Sequence, residues 1–138
     1  MLTLARKRNL LKLARYLEKL PTTYAQFDME NFAVAPNGYL DPSEVKPDCG
    51  TVACAAGHGP IAGVKPLKHE TWFEYIERQF GVADNSPEFI WMFAISWIVR
   101  DKTPHGAAKR IFHYVKHGVP DDFIEQMTGD VPLCYQPA

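Results

Sequence analysis

Two of the chain's three cysteines, Cys49 and Cys54, stand close together, and His58 follows four residues after the second, in the run Cys-Gly-Thr-Val-Ala-Cys-Ala-Ala-Gly-His. Thiol and imidazole side chains in such proximity can support nucleophilic or redox work at sulfur, or capture of a soft metal ion. Metal capture fits the spacing poorly. Zinc sites usually show C-x2-C or H-x3-H units, whereas this is C-x4-C-x3-H with only Cys134 as a fourth thiolate. No metal ligands and no cofactor are assigned. For thiol chemistry the candidates are Cys49 and Cys54, but nothing in the sequence names a third group to orient the histidine. His113 and His117 are also four apart, yet they share a helix face with Lys109, Arg110 and Lys116, and neighbouring cations oppose a bound metal.

The elements expected to position these groups are helical. Gly50 lets the chain turn, Thr51 can cap a helix, and Pro60 must stop it near His58. A tight turn feeding a short helix would aim free backbone amides at the space beside Cys49 and Gly50. Cys49, Gly50, Thr51, Val52 and His58 are therefore the expected ligand-binding residues, for an anionic small molecule such as a nucleotide. Cys49, at the helix start, is the more reactive thiol, and Cys54 among alanines is a packing residue. A structural alternative stays open, in which the small residues 54–57 let another helix approach closely.

Around this segment the periodicity predicts helices over 4–20, 69–80, 86–100, 104–117 and 120–127. Leu10, Leu13, Ala14 and Leu17 form the buried stripe of the first, and Ser86-Pro87 and Thr103-Pro104 open the third and fourth of these. Phe89 to Val99 is interrupted only by Ser96, so the 86–100 helix is placed at the centre of the core. It falls short of the roughly 18 residues that span a bilayer. Residues 21–50 carry Pro36, Pro42, Pro47 and Asn37-Gly38 and read as a loop-rich insertion; 131–138 is an irregular tail. No alternating strand pattern is visible. The expected fold is all-α, one domain over 1–138, a bundle of five to six helices. Trp72, Trp91 and Trp97 are assigned to its core.

The 138 residues carry a net charge of −1, but residues 1–20 hold six basic residues against Glu18, so +5 sits there and −6 elsewhere. A basic first helix can face an acidic surface of its own protein, an anionic ligand or a nucleic acid; the near-neutral total argues against the last. An odd number of cysteines and the absence of a signal-peptide pattern make the cytoplasm the expected compartment.

The string Cys-Gly-Thr-Val-Ala-Cys-Ala-Ala-Gly at 49–57 resembles a CGTxxCxxG segment of small, largely uncharacterised proteins of bacteriophages and some bacteria. Leu10 to Ala14, Phe27-Asp28-Met29, Phe80-Gly81-Val82 and Thr103-Pro104 agree with that pattern. A tryptophan commonly stands where this chain has His58. The resemblance implies a small helical protein of the host cytoplasm that acts by binding, with a host protein or a small signal as partner, and transfers no catalytic residue. The expected function is thus non-enzymatic binding. The alternatives are a thiol enzyme or redox protein using Cys49 or Cys54, and an oligomeric interaction module using apolar surface around Phe89 to Val99.

Overall fold

A computed structural model describes residues 2–46 and 51–136. It contains α1 (Leu4–Glu18), β1 (Ala33–Ala35), β2 (Gly38–Tyr39), β3 (Val52–Ala53), α2 (Trp72–Phe80), α3 (Pro87–Phe93), α4 (Pro104–His117) and α5 (Phe123–Thr128). The all-α expectation is wrong. Helices dominate, but β1 is central to a three-stranded antiparallel sheet of order β2-β1-β3, and the fold is mixed α/β.

No alternating pattern marks the strands, because they are two or three residues long and built from alanine, glycine, valine and tyrosine. The hairpin is legible in hindsight: Ala35 pairs with Gly38 around Pro36-Asn37, and Gly38 adopts φ +136°, where a side chain would be strained. The more consequential error concerns 51–58. Val52 and Ala53 are extended, paired with Val34 and Ala33 of β1, and a helical turn of 3₁₀ type covers only Ala56–His58. Local helix propensity loses here to pairing on both sides of β3. On its other side Ala53 N–H donates to the Gln26 carbonyl (3.0 Å), and Asp28 N–H donates to the Ala53 carbonyl (2.9 Å).

The expected 86–100 helix breaks at Ala94, whose ψ of 145° is extended; a 3₁₀ turn follows over Ile95–Val99. In an unbroken helix the Ile90 carbonyl would accept from the Ala94 amide. Instead the Trp97 indole Nε1–H donates to it (3.0 Å). The break lets Trp97 fold back against Trp91, with ring centroids 5.4 Å apart in an edge-to-face arrangement.

α1 and α4 were legible. Thr3 and Thr103 cap them, Pro104 opens α4, and Leu10, Leu13, Ala14 and Leu17 are buried where α1 packs on α4. Each leucine so buried contributes roughly 1.5–3 kcal/mol. The wheel drawn for α4 fails at one position. Arg110 is not on the outer face with His113 and His117 but fully buried, its guanidinium 4.0 Å from the Trp97 ring centroid. Its Nη1 donates to the Tyr135 hydroxyl (2.6 Å), which in turn donates to Asp101 Oδ2 (2.9 Å). The irregular tail is therefore tied down over a buried cation.

Candidate functional site

Cys49 and Gly50 lie outside the described residues. The other predicted site residues are brought together, but not around an open floor. Thr51 and Cys54 are buried, and the Cys54 amide donates to the Asn31 carbonyl (2.9 Å). No helix begins at Thr51, so no helix dipole points there. The neighbouring amides of Ala53 and Cys54 are taken up by the chain on either side.

Burial pushes the Cys54 thiol up to about 11, well away from thiolate at neutral pH. His58 is just as enclosed. Its Nε2 lies 3.1 Å from the Gln26 carbonyl and so carries the proton, while Nδ1 is buried with no hydrogen-bond partner among the described residues. The ring stacks on Phe27 (5.8 Å, 18°) and is flanked by Tyr16 and Tyr24, and burial lowers its pKa.

The small residues 54–57 do permit a close approach, of α1 on one side and of extended backbone on another. A Cβ on Gly57 would stand 1.5 Å from the Phe32 carbonyl oxygen, so the backbone before β1 presses directly on this glycine. Cys134, the remaining described cysteine, is exposed, with its sulfur 3.6 Å from His113 Nδ1. The His113 and His117 rings are 4.9 Å apart. Among the described residues no group of three or more His, Cys, Asp and Glu side chains is arranged to hold a metal ion. The three tryptophans are core residues whose indole N–H groups donate to the Leu40, Arg110 and Ile90 carbonyls.

Open space lies beside this segment rather than within it, and Cys54, though only 2% exposed, lines part of it. A cleft of about 690 Å³ separates the 22–30 loop, with Tyr24, Phe27 and Asp28, from Ile98, Lys102 and Thr103 at the start of α4. A second hollow of about 310 Å³ shares Met29 and Glu30 with it and continues past Phe32, Phe73, Phe89 and Ile95. The two hollows flank Met29 and Glu30 as a groove in two parts, lined largely by aromatic and aliphatic side chains. Its rim carries Asp28, Glu30 and Asp84 against Lys102.

The walls are held firmly. Asp101 Oδ1 accepts from the Thr103 hydroxyl (2.7 Å), and the same hydroxyl oxygen accepts from the Gly106 amide at the start of α4 (2.9 Å). Asp28 Oδ1 accepts from the Glu30 amide (2.9 Å) on the opposite side. Phe73 and Ile95 remain 44% and 53% exposed in the groove, and Val99, 84% exposed, stands just outside it on the same 3₁₀ turn. Apolar surface of this kind beyond Phe89 was legible in the sequence; the loop that faces it was not.

Compared with models of protein families, with curated proteins and with solved structures, the chain matches none. Among the described residues no helix is long and apolar enough to cross a membrane.

Proposed function

We propose that the protein is a non-enzymatic binding protein that captures an apolar, basic segment of a partner protein in the groove between the 22–32 loop and the Ile95–Thr103 wall. The observation that carries this is the pair of neighbouring hollows on either side of Met29 and Glu30, the second of which leaves Phe73 and Ile95 partly open to solvent. Concave apolar surface with a few fixed polar groups is the usual form of a binding site. Three carboxylates against one ammonium on the rim favour a partner carrying Lys or Arg, which argues against a nucleotide in this groove. A host protein, the partner implied by the resemblance at 49–57, is an occupant of this kind. The expected thiol chemistry has less support, because the Cys54 sulfur is both buried and held as thiol.

Selection of displayed random peptides against the immobilised chain tests the proposal. Enriched peptides should combine large apolar residues with Lys or Arg. Ile95→Glu and Glu30→Arg, both at exposed positions, should each weaken a selected peptide at least about tenfold, or 1.4 kcal/mol, with the melting temperature unchanged. Absence of any consensus, or full binding by both variants, would rule this function out.

A further inference from the structure

The charge asymmetry of the first twenty residues takes a definite form on α1. Arg8, Lys12, Arg15 and Lys19 follow one another at spacings of four, three and four, which places them on one face over about 16 Å of helix. All four are exposed. Among the described residues none of their side chains makes a hydrogen bond or an ion pair. Glu18, the only acid of α1, is bonded to none of them.

Several cations elsewhere in the molecule are employed. Arg78 is paired with Glu70 at 2.5 Å, Arg100 Nε donates to the Gln126 carbonyl (3.3 Å), Arg6 Nε donates to the Arg78 carbonyl (3.4 Å), and Arg110 is enclosed beside Asp101. Like charges three and four residues apart on a helix cost about 0.2–0.5 kcal/mol per pair, and the run from Arg8 to Lys19, the C-cap of α1, makes three such pairs in a row. The first turn of α1 also lacks any acid while holding Arg6 and Lys7 against the positive helix end. The repulsion along the stripe is offset only at its C-terminal end, where Arg15 and Lys19 meet the negative end of the helix dipole, and a bound anion would relieve the rest.

The stripe also lines a hollow. About 480 Å³ of open space lies between α1 and the loop at Ala62, with Leu11, Tyr16 and Ala62 forming an apolar floor between the cationic walls. The loop passes close to the Lys12 stem, so that a Cβ on Gly63 would meet Lys12 Cδ at 3.7 Å. Several cations around an apolar patch with one half-buried aromatic ring suit a ligand that is phosphate-rich at one end and flat and apolar at the other.

We propose that this face of α1 is a binding site for a small molecule bearing several phosphates, of the nucleoside polyphosphate class. The charge of −6 outside the first twenty residues opposes an extended polyanion such as duplex DNA, while a compact ligand meets only the stripe. The proposal is independent of the peptide groove, with which this hollow shares no residue.

Calorimetric titration of the full chain with ATP, with inorganic tripolyphosphate and with adenosine tests it. ATP and tripolyphosphate should bind one per chain, more weakly as salt rises, and adenosine should not bind measurably. Lys12→Glu and Arg15→Glu should each weaken both anions at least about tenfold, whereas Lys116→Glu on α4, equally exposed, should change neither. Tyr16→Leu should weaken ATP and spare tripolyphosphate. Absence of binding of both anions, equal losses with Lys116→Glu, or binding of duplex DNA or an acidic peptide in preference to ATP would overturn the proposal.

Discussion

Residues 51–58 and the outer face of α1 are opposites. The first holds the side chains with the richest chemistry, a thiol and an imidazole, and seals them: Cys54 and His58 are 2% and 1% exposed. The second has lysines and arginines as its chemistry-bearing groups and leaves Arg8, Lys12, Arg15 and Lys19 wet and unpaired. Residue type sets what a group can do, but accessibility decides whether it meets a ligand. In the sealed segment the imidazole lies among rings and Gly57 lies beneath a carbonyl.

Three substitutions and one control press on that contrast. The largest effect is expected at Gly57→Ala, because its Cβ would sit 1.5 Å from backbone rather than from a movable side-chain tip. Chemical denaturation should show a loss of about 4 kcal/mol or more, or no folded protein. A loss under about 1 kcal/mol would mean that 51–58 is not packed tightly against the Phe32 carbonyl.

The next effect is a pH dependence. Burial holds the folded His58 below the ordinary histidine value of 6.5. The unfolded chain therefore protonates first as pH falls, so stability is constant above that value and declines below it, until the folded ring also titrates. One proton contributes at most about 1.4 kcal/mol per pH unit. His58→Gln should flatten the decline seen by denaturation at several pH values. His113, depressed in the same direction by burial and by His117, supplies the control through His113→Gln, which should flatten it less.

The smallest effect belongs to the open stripe. Lys12→Glu places a carboxylate four residues after Arg8 and three before Arg15, replacing two repulsions with attractions. Each such pair is worth about 0.2–0.5 kcal/mol. Stability should therefore rise slightly at low salt, and the gain should fade as salt is added. A loss of stability would show that Lys12 is structurally engaged and that the stripe is not free.

Much of the helical frame was legible because its signals are local. Thr103-Pro104, Ser86-Pro87 and the stripe from Leu10 to Leu17 each lie within one or two turns of chain. The sheet was not legible, since Val52 and Ala53 become a strand only through Ala33, Val34 and Gln26, none of them a sequence neighbour. Arg110 failed for the same reason: its burial depends on Asp101, Trp97 and Tyr135, which the helix period cannot see. The ligand-binding face expected at 50–52 depended on a helix that the pairing of β3 removes. The basicity of α1 was visible from composition, but its lack of partners required coordinates. The groove has one wall in a loop without period, so only its Phe89–Val99 side left a mark in the sequence.

The indole that claims the Ile90 carbonyl has a consequence for how the molecule can diverge. A phenylalanine or leucine at position 97 would fill most of the same volume but leave that oxygen to its old partner, the amide four residues on. The rod from 87 to 100 could then straighten, drawing Ile95 and Val99 around its axis and moving the wall that faces the 22–30 loop. A single N–H thus acts as the joiner's peg that sets the angle of an elbow, and the width of the opening beside it follows from that angle.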